Sequence, residues 1–352
     1  MVPNNLYNKY KSNITLMNFM SQLILKILVS VFLLLKSSVI FSSIEDEKYV
    51  IGFGSCITEK REQPIWQAIK DENVDEFFFM GDNVYGDSED GLLNDMEVSY
   101  RKQKQMFPEW IFNKKLNAIW DDHDYGKNDG GVEYPLKEKA QELFLEFWGV
   151  SDEDPRHNRE GIYFSEEKEI LGKKVNLIGL DTRYHRSPLG QDSKPYSADD
   201  DKTKTMLGKE QWQWLNSAIE RESDLLIIVS SIQVMATNHG FEKWQNFPHE
   251  RLKLLKLLES QNKPVIILSG DRHRAGFYKK GALVEITSSS MNKPPARTIT
   301  AIWDTFFKET DELLLGDMYS KENYGTIEFS KESKISVHLK DLNGDEIFSL
   351  EL

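Results

Sequence analysis

The sequence contains a single cysteine, Cys56, so no disulfide can form within the chain. Basic residues are fewer than acidic ones, 44 against 57, which gives a formal net charge of −13. A nucleic-acid partner is therefore not expected, because phosphate backbones need a basic surface. Hydrophobic residues make up 39% and aromatic residues 11% of the chain. This composition indicates a packed globular protein rather than a disordered one.

The chain also lacks a long uninterrupted apolar run. The apolar stretch 23–35 is broken by Lys26 and Ser30 and is short for a membrane-spanning helix. Two lysines precede it and small polar residues follow it, an order typical of a secretory signal peptide. We therefore expect residues 1–44 to be a signal peptide or targeting segment and 45–352 to be the functional domain. The protein would then be secreted, periplasmic or otherwise extracytoplasmic, with no stable membrane span after cleavage, and an uncleaved N-terminal anchor is the alternative.

Strand-like and helix-like segments alternate along the rest of the chain. Short apolar runs predict buried strands at 49–53, 76–80, 116–120, 175–180, 225–229 and 264–268. Amphipathic patterns predict helices at 64–70, 96–107, 136–148, 208–221 and 250–260. Short strands are expected at 325–329, 335–339 and 347–350, with a hairpin turn at Asn343-Gly344, and the polar segment 191–204 predicts a long loop. Asp271 and His273, at alternate positions after the strand at 264–268, are expected to point the same way. Alternating strands and helices indicate an α/β fold, with the strands covered on both faces.

Five apolar segments end in side chains that can bind metals or react. The endings are Gly54-Ser55-Cys56, Gly81-Asp82-Asn83-Val84-Tyr85, Asp121-Asp122-His123-Asp124, Asp181-Thr182-Arg183 and Ser269-Gly270-Asp271-Arg272-His273. Ligands gather outside the carboxyl ends of strands in α/β sheets, so these groups would converge if the five strands share a sheet. Thiolate, phenolate, carboxylate and imidazole groups are metal ligands. Bound cations would also offset the repulsion among the carboxylates of residues 121–124.

These endings resemble the motifs of the alkaline phosphatase D (PhoD-like) family, a branch of the calcineurin-like metallophosphoesterases. The resemblance extends from about residue 49 to residue 292. It implies a four-layer α/β/β/α sandwich, a single catalytic domain with additional C-terminal strands. It also implies metal-dependent hydrolysis of phosphate esters, of the alkaline phosphatase or phosphodiesterase type, by a water activated between two ions.

The resemblance further implies how the site residues divide between the two ions. Cys56, Asp82, Tyr85 and His273 would hold the first ion. Asp82, Asp122 and Asp271 would hold the second ion. Soft thiolate with hard phenolate and carboxylate suits Fe³⁺ at the first position, and oxygen ligands suit Ca²⁺ at the second. Mn, Zn or Mg are the alternative metals.

Other residues near these ligands would act on the substrate or orient the ligands. His123 would act at the leaving group or on a phosphate oxygen, which suits an imidazole near neutral pH. Arg183 would clamp the phosphate, because a guanidinium group matches phosphate oxygens in a fork geometry. Supporting positions beside the ligands or in the pocket are expected for Asp121, Asp124, Asn83, Asn128 and Arg186.

Two other functions are consistent with the sequence. One is a phosphodiesterase that acts on lipid, wall-polymer or nucleotide diesters. The other is a catalytically inactive relative that binds a metal or a phosphorylated ligand. The second is motivated by Ser231, which lies where most metallophosphoesterases carry a metal-binding histidine. His239 follows at a short distance and is expected to be an ordinary surface residue.

Overall fold

The computed structural model describes residues 24–27, 30, 47–88, 90–191, 193–296, 309–332 and 334–352. Contacts within the chain separate two units, Met1–Glu47 and Lys48–Leu352. In the first unit the described residues 24–27 are helical and exposed. The rest of the predicted targeting segment lies outside the described residues, so its role stays a prediction. None of the helices in the described ranges is both long enough and apolar enough to cross a membrane.

One sheet of the second unit has six strands. Its strands are β1 (Lys48–Gly54), β2 (Glu76–Met80), β3 (Lys115–Ile119), β11 (Asn323–Ser330), β12 (Ile335–Asp341) and β13 (Glu346–Glu351), in the order β13-β12-β11-β1-β2-β3. β1 pairs parallel with β2, and β2 pairs parallel with β3, whereas β11 pairs antiparallel with β1. The predicted hairpin turn at Asn343-Gly344 is confirmed, because it joins β12 to β13 with Gly344 at φ 87°.

The other sheet has seven strands. These are β4 (Phe164–Ile170), β5 (Lys173–Gly179), β6 (Leu225–Ser230), β7 (Val265–Ser269), β8 (Ala275–Lys280), β9 (Leu283–Ser288) and β10 (Leu314–Tyr319), in the order β10-β8-β9-β7-β6-β5-β4. β5, β6, β7 and β9 are mutually parallel. Four of its strands, β4, β8, β9 and β10, were not predicted from the sequence. β4 and β10 are edge strands, and their polar residues suit an exposed edge but hide the apolar pattern of a strand.

Helices cover the outer faces of both sheets. They are α1 (Ile65–Asp71), α2 (Met96–Met106), α3 (Asp122–Tyr125), α4 (Lys137–Phe147), α5 (Gly208–Ile219) and α6 (Pro248–Glu259). Short 3₁₀ turns occur at Glu109–Asn113, Pro155–His157 and Trp244–Asn246. All but α3 coincide with a predicted helix. The predicted loop at 191–204 contains no helix or strand among its described residues.

The hydrophobic core has two parts, separated by the seven-stranded sheet. In β6, Leu225, Ile227 and Val229 face the core between the two sheets. Leu226 and Ile228, at alternate positions, face the core beneath α5 and α6. A strand with both faces covered reads as a continuous apolar run, as the sequence shows. The result is the four-layer α/β/β/α arrangement, as predicted.

The sequence argument made convergence depend on the five motif strands sharing one sheet. In the structure these strands belong to two sheets. β1, β2 and β3 belong to the six-stranded sheet, and β5 and β7 belong to the seven-stranded sheet. The two sheets pack face to face, as the stacked rings of Phe78 and Phe164 show, with centroids 6.0 Å apart. Strand ends from both sheets therefore border one site.

Candidate metal centre

The carboxyl ends of strands from both sheets bring the predicted ligands together. Cys56 follows β1, Asp82 and Tyr85 follow β2, Asp122 opens α3 after β3, and Asp271 and His273 follow β7. The side chains form three groups, and within each group the donor atoms lie within 4.8 Å of one another. The groups are Cys56 with Asp82 and His273; Asp82 with Asp122 and His123; and Asp82 with Asp121, Asp122 and Asp271. Asp82 belongs to every group. The first group contains three of the four residues predicted for the first ion, and the third contains the residues predicted for the second ion together with Asp121.

Four of these residues have left-handed backbone conformations. The φ angles are 57° at Cys56, 52° at Asp82, 66° at Asp271 and 52° at His273. Residues other than glycine rarely adopt such angles, and the cost is of order 1–3 kcal/mol at each position. The strands have ended before these residues, so Asp271 and His273 do not alternate along an extended strand, as the sequence argument had assumed. The turned backbone directs the two side chains to different donor groups.

Two glycines allow the loops to approach each other closely. A Cβ on Gly81, which has φ 100°, would lie 2.7 Å from the Cβ of Asp121 and 2.9 Å from its backbone nitrogen. A Cβ on Gly270 would lie 2.6 Å from Ser55 Oγ and 3.0 Å from the carbonyl oxygen of Ser231. A side chain at either position would therefore push apart the segments that carry the ligands.

Asp82 joins the residues of the first donor group. The phenol of Tyr85 donates a hydrogen bond to Asp82 Oδ2 at 2.8 Å, and Cys56 Sγ lies 3.5 Å from the same oxygen. His273 Nδ1 donates to the carbonyl oxygen of Lys293, which leaves Nε2 free to act as a ligand. Thiol, phenol, carboxyl and imidazole groups thus surround a single point.

Buried carboxylate oxygens supply the test of whether a cation fits this centre. Asp82 Oδ1, Asp121 Oδ2 and Asp122 Oδ1 are buried and accept no hydrogen bond within the described structure. An unpaired buried acceptor is costly, and an unpaired buried charge is more so. Cations coordinated by these oxygens would remove that cost, so the donor set fits bound metal ions.

The acid–base properties of the cluster support the same conclusion. Burial, with Asp122 adding to it and His123 opposing it, raises the pKa of Asp82 to about 6. Burial and the carboxylates of Asp122 and Asp82 raise the pKa of Asp271 to about 8. Burial also raises the pKa of the Cys56 thiol well above its usual value. In each group low solvation and nearby negative charge disfavour the anion, and a bound cation would reverse this preference.

His123 lies beside this centre and has a partner that the sequence did not reveal. Its Nδ1 donates to Asp87 Oδ1 at 2.6 Å, and its ring lies beside that of Tyr85, with centroids 4.2 Å apart. Burial alone would lower the pKa of His123, but the carboxylates of Asp122 and Asp82 and the bond to Asp87 raise it to about 10. Asp87 thus fixes the orientation of the imidazole and leaves Nε2 free to face a ligand.

Asp124 and Asn83 hold the backbone of the loops that carry the ligands. Asp124 Oδ1 accepts the backbone N–H of Asn83 at 2.9 Å, and its Oδ2 accepts that of Asp121 at 3.0 Å. The amide of Asn83 donates to the carbonyl oxygen of Ile119 at 2.9 Å. These bonds tie the loop after β2 to the start of α3, so that Asp82 and Asp122 are held at a fixed separation.

Arg183 is completely buried within an ion network. Its Nε donates to Asp121 Oδ1 at 2.6 Å, and its Nη1 donates to Glu242 Oε2 at 2.5 Å. Arg186 is also buried and pairs with Glu242 Oε1 at 2.9 Å. Neither guanidinium faces an opening in the described structure. The predicted contact of Arg183 with a phosphate therefore gains no support from this arrangement.

Asn128 lies away from the ligands on an exposed turn. Its amide donates to Asp129 Oδ2 at 2.7 Å. The backbone N–H of Asp129 donates to Asp122 Oδ2 at 2.7 Å, and Lys194 pairs with Asp129 Oδ2 at 3.2 Å. Asp129, rather than Asn128, is thus the residue of this turn that contacts a predicted ligand.

Ser231 occupies the end of β6, where the sequence comparison had pointed to a missing histidine. Its hydroxyl donates to Asp121 Oδ1 at 2.5 Å and is 2.6 Å from the hydroxyl of Thr182. His239 does not substitute for that histidine among the described donor groups. Its Nε2 pairs with Gln233 Oε1 at 2.9 Å, and its Nδ1 accepts the backbone N–H of Phe241 at 3.2 Å.

The sequence analysis missed the residues that reach the site from loops. These are Asp87, Lys293, Glu242 and Lys194. Of these residues, Asp87 is the one that the sequence could have revealed, because it follows Asp82 closely in the same loop. The others lie far from any motif, so that only the folded chain places them beside it.

Comparison with known proteins agrees with this fold and identifies a family. The sequence profile of the PhoD-like phosphatase family matches residues 114–324, more than half of the chain. No curated protein sequence matches significantly. The solved structure of PhoD is 16% identical, with a TM-score of 0.64, and the match covers 87% of this chain and 68% of that one.

Two further solved structures share the fold. A purple acid phosphatase, PPD1, from yellow lupin is 10% identical, with a TM-score of 0.60; the match covers 87% of this chain and 54% of that one. GAP50, described as the anchor in the inner membrane complex of Plasmodium, is 14% identical, with a TM-score of 0.57; 87% and 88% of the two chains are covered. At these identities the structures show similarity of fold alone.

The donor groups, the four-layer fold and the family profile together define a metallophosphoesterase. Within that class, the chain belongs to the PhoD-like phosphatase family.

Proposed function

We propose that this enzyme hydrolyses phosphate esters at a two-metal centre built around Asp82, with phosphomonoesters as substrates. The observation that carries the proposal is the position of Asp82 in all three donor groups, since one carboxylate can bridge two ions. Metal ions held there would stabilise charge on the phosphate and supply hydroxide as a nucleophile near neutral pH.

The side chains of the chain itself account for the remaining requirements of the reaction. His123, oriented by Asp87, is placed to hold a proton for the leaving group or to contact a phosphate oxygen. Asp124 keeps the loops of Asp82 and Asp122 in register through two backbone hydrogen bonds. The buried Asp121 carboxylate belongs to the third donor group and pairs with Arg183, which would support it from the protein interior.

The proposed metals are Fe³⁺ held by Cys56, Asp82, Tyr85 and His273, and Ca²⁺ held by Asp82, Asp122 and Asp271. The thiol and phenol within the first group suit Fe³⁺, and the carboxylates of the second group suit Ca²⁺. The role of Tyr85 rests on its short hydrogen bond to Asp82. Mn, Zn or Mg are the alternatives that elemental analysis would distinguish.

The test is metal content together with turnover of p-nitrophenyl phosphate by the purified protein. Asp82→Asn should lose both metal and activity, because the amide cannot bridge two cations. Asp152→Asn, at an exposed site far along the chain, is the matched control and should keep both. Full activity after removal of metal by a chelator, or an active and metal-loaded Asp82→Asn protein, would refute the mechanism.

The alternative substrate class is a phosphodiester of a lipid, a wall polymer or a nucleotide. The relative rates with p-nitrophenyl phosphate and bis-p-nitrophenyl phosphate separate the two classes. A higher kcat/KM for the diester would replace the monoester assignment but leave the metal chemistry unchanged.

We also propose an extracytoplasmic location. The order of basic, apolar and small polar residues before residue 45 supports it. N-terminal sequencing of the mature protein from the producing cells tests this proposal, and an intact N-terminus on a cytoplasmic protein would contradict it.

A further inference from the structure

A cavity lined by cations opens beside the metal centre. Its volume is about 340 Å³, and its walls include Tyr85 and His123 of the site. Three cationic side chains, Lys60, Arg61 and Lys293, also line it, together with Thr58 and Asp87. Positive charge thus gathers at this opening, although the chain carries a formal net charge of −13.

The loops that carry these cations are fixed to each other. Asn292, the residue before Lys293, accepts the backbone N–H of Thr58 at 2.7 Å and donates to its carbonyl oxygen at 2.9 Å. The same amide donates to the carbonyl oxygen of Arg61 at 3.4 Å. Lys293 is also tied to the centre, because its carbonyl oxygen accepts from His273. The backbone segments that carry the cations are therefore fixed to each other before any ligand arrives.

The three cations form no ion pair with a residue in the described ranges, although the carboxylates of Asp82, Asp122 and Asp87 act on the charge of Lys293. Lys293 Nζ lies 3.1 Å from the centroid of the Tyr85 ring, and Lys60 Nζ donates to the carbonyl oxygen of Tyr85 at 2.6 Å. Arg61 is exposed, and its guanidinium makes no ion pair with any residue in the described ranges. The cavity contains one carboxylate, Asp87, and that carboxylate is bonded to His123.

We propose that this cavity is a subsite for a second phosphate, carried on the leaving group of the substrate. The inference deepens the proposed phosphoesterase function and rests on it. His123 and Tyr85 line the cavity on the side of the metal centre, so a leaving group that takes its proton from His123 extends into the cavity. Three cations around one pocket suit a dianion better than a neutral alcohol. The favoured substrates are therefore bisphosphates, in which a second phosphate is a short linker away from the reacting one.

The test compares two substrates that share the same ester bond, 1,3-propanediol bisphosphate and 3-hydroxypropyl phosphate. The metal-loaded protein should show a kcat/KM about tenfold higher for the bisphosphate, after correction for its two equivalent esters, and this preference should weaken at high salt. The double variant Arg61→Gln/Lys293→Met should lose the preference mainly through KM. Lys209→Gln, which removes an exposed cation on α5, is the control and should keep it.

The outcomes separate the subsite from the catalytic function. Equal kcat/KM for the two compounds in the wild-type protein, or an unchanged preference in the double variant, overturns the subsite and leaves phosphoester hydrolysis standing. If neither compound is hydrolysed, the proposed function fails. Calorimetric binding of the same two compounds then decides the subsite, and equal affinities would overturn it.

Discussion

The buried ion network of Arg183 allows a quantitative prediction that separates two roles for this residue. The sequence predicts a phosphate clamp, whereas the structure places the guanidinium inside the protein, between Asp121 and Glu242. The side-chain exposures of the three residues are 0%, 1% and 0%. Arg183→Met removes the positive charge and keeps an unbranched side chain of similar length. Two buried carboxylates then lose their shared partner.

The expected loss of unfolding free energy depends on which contacts each carboxylate keeps. Breaking a buried ion pair by removing one partner costs about 3–5 kcal/mol, because an uncompensated charge stays buried. Glu242 keeps its contact with Arg186, and Asp121 keeps its hydrogen bond from Ser231. We therefore expect a loss near the lower limit, about 3 kcal/mol of the free energy of unfolding. Since native domains are stable by about 5–15 kcal/mol, this is a large fraction.

Urea unfolding of the metal-loaded protein, followed by tryptophan fluorescence, measures the effect. For a slope of about 3 kcal/mol per molar urea, the transition midpoint should fall by about 1 M. Arg183→Lys keeps the charge and should lose less stability than Arg183→Met. Arg221→Met is the matched control, because Arg221 forms an exposed pair with Glu167 at 2.7 Å. Exposed pairs contribute about 0–1 kcal/mol, so its midpoint should barely move.

The result that would refute this reasoning is specific. If Arg183→Met unfolds at the same urea concentration as the Arg221→Met control but has a raised KM for p-nitrophenyl phosphate, Arg183 contacts the substrate. The buried network would then be the wrong description of this residue, and the phosphate clamp predicted from the sequence would be the right one.

Three further predictions concern the site itself. In the folded, metal-free protein the pKa of Asp271 is about 8, so this carboxyl keeps a proton that the unfolded chain releases. The free energy of unfolding should therefore fall as the pH rises from about 6.5 to 8. His123, with a pKa of about 10, acts in the same direction. Thermal unfolding in a chelator measures this, and a metal-free protein more stable at pH 8 would contradict it. Asp87→Asn weakens the bond that orients His123 and should lower kcat by about tenfold or more with little change in metal content; an unchanged kcat would exclude that role. If Fe³⁺ is bound by Tyr85, the loaded protein should show a visible phenolate charge-transfer band that Tyr85→Phe abolishes, and an active, colourless wild-type protein would indicate another metal.

Local sequence patterns predicted the parts of the fold that are buried on both faces. The runs that became β2 and β6 are apolar except for Glu76 at the start of β2 and Ser230 at the end of β6, and α5 shows clear helical periodicity. The edge strand β4 was missed because its charged residues mask the pattern. β10 was missed because Gly316 and Asp317 interrupt its apolar residues, and its sequence lies within 296–324, a segment to which no role could be given. Residues 297–308 of that segment lie outside the described structure.

The predicted ligands were found because each directly follows a strand, where the sequence itself marks the position. Their arrangement was harder to predict. Asp271 and His273 were expected to point the same way along an extended strand, but φ angles of 66° and 52° place them in separate donor groups. Asp and His adopt such angles more often than most residues do, but still uncommonly, so the surrounding packing decides them.

The sequence by itself determined the chemistry of this protein: which residues can bind metals, at which strand ends they lie, and to which family of phosphoesterases they point. Only the tertiary structure decided how these groups divide among partners. It placed motif strands in two sheets rather than one, buried Arg183 against Asp121 and Glu242, and brought Asp87 and Lys293 to the site. The physical reason is that strand and helix patterns arise from neighbouring residues, whereas burial, ion pairing and the shape of a cavity arise between residues far apart in the chain.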